Sequence, residues 1–204
     1  DCLLSRGLGD VYKRQVLPRF RARYPGVQLQ LGESTTARIV EMVEAGDVDV
    51  GLVRFPIGRA CHARIFPAER DVFVAAVAAD HPLARRRRLT LADLADEPFV
   101  MYGAMEVPGL HAAALLACQQ AGFIPNVQQE AVQVQTLISL VESGLGVALV
   151  PSVATRHVAR NVVFKPLSGA GAQVAIGIAL ALPPGAQTSA AQRFLESVLE
   201  QPDA

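Results

Sequence analysis

An apolar stripe that recurs with the same helical spacing in both halves of the chain restricts it to a duplicated α/β architecture. Thr36, Ile39, Val40 and Val43 fall at i, i+3, i+4 and i+7, and Gly46 closes the run. Val134, Leu137, Ile138 and Val141 repeat the spacing, closed by Gly144, an offset of 98 residues from one glycine to the other. This spacing lines one face of a helix, and glycine just past the last periodic residue is a stop signal. Strand patterns flank each stripe: Val27 to Leu31 (apolar residues alternating with Gln28 and Gln30) and Val48 to Val53 in the first half, Asn126 to Val132 and Val147 to Val150 in the second. A further helix opens each set. One carries Val16, Leu17, Phe20 and Tyr24 and ends at Pro25-Gly26; the other starts at Pro108, a residue suited to a first helical turn, and ends before Gly122. Helix and strand alternating in this way imply parallel strands with helices on both faces.

Two long apolar stretches, Asp71 to Ala79 and Val174 to Leu182, are placed to cross between the halves. Thr90-x-x-Asp93 resembles a capping box for a short helix ending before Pro98. Thr188 or Ser189 can cap a last helix carrying Phe194, Leu195, Val198 and Leu199. Two crossings and a returning helix make a hinged pair of lobes: lobe I over 16–80 and 173–204, lobe II over 81–172. The repeat exposes one gap. A strand, Phe99 to Tyr102, precedes the Pro108 helix, and its counterpart falls within residues 1–4, where only Leu3-Leu4 is apolar. Ser5 to Gln15 carries no strand pattern, so residues 1–15 are read as a non-native or disordered leader, with a poorly patterned native loop as the alternative.

Nineteen basic residues balance nineteen acidic ones, so the chain has no broad electrostatic footprint for nucleic acid. Cys2, Cys61 and Cys118 are odd in number and far apart, which argues against a disulfide framework and for a reducing, cytoplasmic setting. His62, His81, His111 and His157 are scattered; no metal site and no cofactor are expected. No apolar run approaches the ~20 residues that span a bilayer, and no membrane partner is expected. Nucleophile-elbow, phosphate-loop and zinc-protease motifs are missing, and no acid–base pair has a suggestive spacing, so no catalytic residue is assigned. Arg85 to Arg88 reads as a solvated turn.

Ligands of open parallel sheets bind beyond the carboxyl ends of the strands, where helix N-termini also point. After Val27 to Leu31 come Ser34, Thr35 and Thr36, whose hydroxyls and backbone N–H groups at a helix start suit an anion. The equivalent place in the second half is Gln133-Val134, and in both halves plain helix capping is the competing reading. Arg54 emerges from the apolar run Asp49 to Val53 and can clamp a carboxylate, or form only a surface ion pair. Tyr102 ends the Phe99 strand, where it can stack on a ligand or serve as a core-edge tyrosine.

The stretches LPRFRARYPGVQLQLGE (17–33), VEAGDVDVGLVR (43–54), HPLARRRRLTLADLADEPFVMY (81–102), AGFIPNV (121–127) and LISLVESGLGVALVPS (137–152) resemble the effector-binding domain of LysR-type transcriptional regulators. Their joint order, over about residues 16–200, carries the resemblance. Arg54, Pro108-Gly109 and AGFIP are most similar to the branch that senses aromatic-pathway metabolites and small carboxylates. The resemblance implies an α/β, two-lobed fold like the type II periplasmic binding proteins, each lobe a mostly parallel sheet flanked by helices. It implies a small-molecule effector between the lobes, near Ser34 to Thr36, Arg54, Tyr102, Gln133 and Val134. It also implies a head-to-tail dimer in which the Leu17 to Tyr24 helix meets the partner's Pro108 to Gln120 helix, with tetramer formation left open. DNA is expected as a partner only through an N-terminal helix-turn-helix of the parent protein. The first strand, which in the family usually brings a pocket Ser or Thr, is expected to be replaced by residues 1–15. Two rivals share the fold: a periplasmic solute receptor and a carboxylate-processing dehydratase.

Overall fold

The duplicated order of helices and strands is present in the backbone, and the gap in it is filled. The computed structural model of the chain describes residues 2–4, 9–156, 160–185 and 187–199. Asp1, Ser5 to Leu8 of the expected leader, His157 and the end of lobe I over 200–204 lie outside the described residues. The first set comprises β1 (Cys2–Leu4), α1 (Gly9–Arg23), β2 (Gln30–Gly32), α2 (Thr36–Ala45) and β3 (Val50–Phe55), followed by β4 (Arg64–Asp71). The second opens with β5 (Phe73–Ala78) and β6 (Leu89–Thr90). It continues through β7 (Pro98–Tyr102), α3 (Pro108–Gln120), β8 (Asn126–Ala131), α4 (Val134–Glu142), β9 (Ala148–Pro151) and β10 (Val162–Ser168). The chain ends with β11 (Ile176–Leu182) and α5 (Ser189–Leu199).

Two compact units result, 1–69 with 178–204 and 70–177. The first holds a five-stranded sheet in the order β2-β1-β3-β11-β4. β1, for which the sequence shows no convincing pattern, runs parallel between β2 and β3, with Leu3 opposite Leu31 and Val50. The stretch without strand pattern is helical from Gly9 onward. Apolar side chains cover both sheet faces. Phe20 of α1 and Phe194 of α5 meet edge-on, 5.0 Å apart, over Val50, Leu52 and Leu180. On the other face Ile39, Val40 and Val43 of α2 lie on Val53, Ala179 and Ala181. The stripe read from the sequence is therefore the buried face of α2, and Gly46, at φ 78, takes the left-handed C-cap that stops it.

In the second unit β7 and β8 are parallel, joined through α3, and Phe99 bridges to Val147 in parallel just before β9. β8-β7-β9 thus mirrors β2-β1-β3, as the repeat requires. β5, read as the end of lobe I, belongs here. It pairs antiparallel with both β9 and β10, so this unit is mixed rather than mostly parallel. Helical crossovers impose parallel pairing on the strands they join; β5 and β10 are not joined to their neighbours in that way. The Thr90–Asp93 capping box is present, on a 3₁₀ turn (Leu91–Leu94), and Thr188 caps α5 by accepting the Ala191 N–H at 3.1 Å.

Candidate functional site

In the first unit α2 starts where β2 ends, and the three hydroxyls there have different surroundings. Thr35 is the N-cap: its Oγ1 accepts the Arg38 N–H at 3.3 Å. Thr36 stands at the head of the buried stripe, and its Oγ1 accepts the backbone N–H of Arg54 at 3.2 Å. Ser34 is half-buried just before the cap. Arg54 follows the buried run Val50 to Val53 and is itself half-buried. The first turn of α2 carries no acidic residue, so the positive end of the helix is not neutralised from within that turn. Further along, Glu41 bridges two guanidiniums, Arg38 at 3.3 Å and Arg59 at 3.1 Å, while Arg59 also donates to the Ala37 carbonyl at 3.1 Å. The Arg38 hydrogen bond first, and the Arg59 one next, hold Glu41 below the ordinary carboxylate value. Glu44 accepts the backbone N–H groups of His62 and Ala63, which ties the loop after β3 to α2.

The second unit places Gln133 as the exposed N-cap of α4 with no side-chain capping hydrogen bond. Val134 heads the stripe and is buried. The first turn of α4 also lacks acidic residues. Tyr102 ends β7 with only 1% of its surface exposed, so its ring belongs to the packed interior; the sequence left stacking on a ligand and core packing open. The Tyr102 carbonyl accepts a hydrogen bond from His111 Nδ1 at 2.7 Å, which puts the proton on that nitrogen. The two helix starts are equivalent: Thr36 and Val134 are 98 residues apart, as are Arg54 and Ser152. In the second unit the N–H of Ser152 goes to Asp71 Oδ1 at 3.1 Å. Asp71 also accepts the Ser152 hydroxyl, the Val72 N–H at 2.7 Å and the Val153 N–H at 3.4 Å. Sequence reasoning missed this carboxylate hub, because Ser152 and Val153 are 81 and 82 residues away.

Other chemistry is sparse. Among the described residues no group of three or more His, Cys, Asp or Glu could hold a metal ion, and no helix is long and apolar enough to cross a membrane. Cys61 and Cys118 are free thiols, and burial pushes Cys118 up to about 12. In the first unit a groove of about 1010 Å³ runs between α1 and the segment leading into β2, lined by Leu17, Arg21, Tyr24, Val27 and Leu31. Leu31 there is 52% exposed.

The family model described as LysR substrate binding domain matches residues 7–203. Among curated relatives, the HTH-type transcriptional regulator AlsR of Bacillus subtilis (strain 168) is 31% identical over 152 residues, 74% of this chain and 50% of that protein. The chain spans about half the length of the curated relatives it matches. Among solved structures, the C-terminal domain of a probable LysR family transcriptional regulator from Rhodococcus sp. RHA1 superposes with TM-score 0.80 at 25% identity, covering 97% of each chain. The BenM effector binding domain with its effector benzoate superposes with TM-score 0.82 at 22% identity, covering 98% of this chain and 94% of that one. The second of these likenesses speaks to the fold alone.

Proposed function

Since the chain belongs to the LysR substrate binding domain family, we propose that it is the effector-sensing part of a LysR-type transcriptional regulator, whose ligand is a small anionic metabolite, aromatic or dicarboxylic. The observation that carries the reading is the duplicated helix start: α2 and α4 each open behind a parallel strand, with no acidic residue in the first turn. Such helix ends favour anions through their N–H groups and dipole. Arg54, beside the α2 start, adds a guanidinium matched to a carboxylate. We assign effector contacts to Ser34, Thr35, Thr36 and Arg54 in one unit and to Gln133 and Val134 in the other. Tyr102, being buried, contributes by shaping the wall behind its strand end. Benzoate, the effector of the BenM domain that shares the fold, is an aromatic carboxylate and so the first ligand to try.

Binding shifts a conformational equilibrium only through unequal affinity for its states, so the ligand's information passes to a partner that senses shape. A second copy of the chain fits that role. The α1–β2 groove with exposed Leu31, and Leu116 and Ile124 exposed at 46% and 77% around α3, support a head-to-tail pairing of α1 with the partner's α3. DNA contact is assigned to a helix-turn-helix of the whole regulator, working in the cytoplasm. A two-dimensional NMR titration with benzoate tests the site. Shifts gathered at residues 34–36, 54 and 133–136 are expected; saturable shifts confined to other residues would overturn the assignment.

A further inference from the structure

The arginines Arg85 to Arg88 are exposed, as the sequence suggests, yet the turn that carries them is fastened at several points. It opens on a 3₁₀ turn (Pro82–Arg85) capped by His81, whose Nδ1 accepts the Leu83 N–H at 3.3 Å. Leu83 and Leu89, on either side of the arginines, are buried at 5% and 1% exposure. Leu89 also lies in β6, opposite Leu167 of β10. Arg86 holds the middle. Its N–H donates to the Leu83 carbonyl at 3.2 Å, its own carbonyl accepts from Lys165 Nζ at 2.9 Å, and its guanidinium meets Asp93. Asp93 is engaged further, accepting the Thr90 N–H at 2.8 Å and the Thr90 hydroxyl at 2.7 Å.

We propose that Arg85, Arg87 and Arg88, together with Lys165, form a docking surface for an acidic segment of another protein. Among the described residues these three arginines have no ion pair. Lys165 adds a fourth charge, because its ammonium group stands against the Arg86 carbonyl. Like charges on neighbouring residues repel, and a loose segment would spread them apart. Here the fastened backbone keeps them together. The fold gains nothing from that repulsion, whereas an anionic partner relieves it.

The chemistry narrows the partner. The planar fork of arginine matches a carboxylate in bidentate fashion. Three residue steps, from Arg85 to Arg88, span at most about 10 Å, the length of three or four residues of an extended acidic stretch. Nucleic acid calls for a basic stripe along a whole face, and nineteen basic against nineteen acidic residues leave no such excess. None of the four cations belongs to the assigned effector contacts or to the α1–α3 pairing.

The test is fluorescence anisotropy on the full chain with a labelled oligoglutamate peptide, and in parallel with a labelled DNA duplex, at about 20 mM and about 150 mM salt. The wild type is expected to bind the peptide saturably at the lower salt and more weakly at the higher. Arg85→Gln/Arg87→Gln/Arg88→Gln should weaken that binding by at least about tenfold, the sum of several exposed ion pairs, while melting no lower than the wild type. Arg64→Gln/Arg70→Gln/Arg156→Gln removes the same charge from other exposed positions and should bind like the wild type. A wild type that ignores the peptide at low salt would overturn the proposal. An equal loss in the second triple variant would do so too, since net charge alone would then account for binding. Tighter binding of the duplex through the same three arginines would assign the surface to nucleic acid instead and overturn it. A first triple variant that melts clearly below the wild type would show that the arginines serve the fold, with the same consequence.

Discussion

Gly51 lies under α2 at a place where one methyl group changes both stability and the candidate site. A Cβ added there stands 2.4 Å from Ile39 Cγ2, 3.0 Å from Val43 Cγ2 and 3.6 Å from Ala181 Cβ. Carbon atoms attract best at about 3.5–4.0 Å, so Gly51→Ala requires α2 to retreat by about 1 Å. Overpacking of this kind costs about 1–3 kcal/mol. The lost freedom of the unfolded chain returns about 0.4–1 kcal/mol. A net loss of about 1–2 kcal/mol follows, and in a chain of this size each kcal/mol lowers Tm by about 2–4 °C. The expected fall is therefore about 2–8 °C, read by circular dichroism or calorimetry. Gly26→Ala is the control, since a Cβ there meets nothing within 4 Å; it is expected to melt like the wild type. The retreat also moves the α2 start, where Thr35 and Thr36 are assigned to the effector, so the benzoate affinity of Gly51→Ala should fall with its Tm. A Gly51→Ala protein that melts with the Gly26→Ala control would refute the packing argument.

Asp71→Ala leaves the N–H groups of Ser152 and Val153 and the Ser152 hydroxyl without their carboxylate. A loss of about 2 kcal/mol in denaturant unfolding is expected, on the scale of a hydrogen bond to a charged group, and an unchanged midpoint would contradict it. Cys118, held protonated up to about 12 against an ordinary 9.0, keeps its proton when folded while the unfolded chain releases it. Stability should then fall as pH rises between about 9 and 12, with a shallower fall in Cys118→Ala; parallel curves would rule this out. Leu31→Asp, in the α1–β2 groove, is expected to reduce a dimer to monomers in sedimentation at unchanged Tm, and a persistent dimer would move the interface elsewhere.

The helices were the most legible part of the sequence. Both stripes became buried helix faces, and Gly46 and Gly144 stopped them with left-handed φ of 78° each. The strands β4 and β10 were missed for a physical reason. Each contains a proline, Pro67 or Pro166, and neither shows a regular alternation of buried and exposed residues. Proline cannot donate to a ladder, so it erases the local strand signal; β4 tolerates it at the sheet edge. β1 was missed because three residues are too few to show a period. Its place was visible only through the repeat, which pointed to residues 1–4. At the site, the positions of Ser34, Thr35, Thr36 and Arg54 at a helix start and a strand end were legible from spacing. Their division of labour was not, because it depends on which hydroxyl faces β3 across an interval of 18 residues. The two readings left open for Tyr102, ligand stacking or core packing, could not be separated from the sequence, since an aromatic at the end of a buried strand looks alike in both roles.

Calorimetric titration of the purified chain with benzoate and short carboxylates, beside Arg54→Ala, tests the proposed sensing role most directly. Saturable binding with one site per chain, lost or weakened at least tenfold in Arg54→Ala, is the expected result. A folded chain that takes up no carboxylate, or an Arg54→Ala variant that binds as tightly as the wild type, would contradict it.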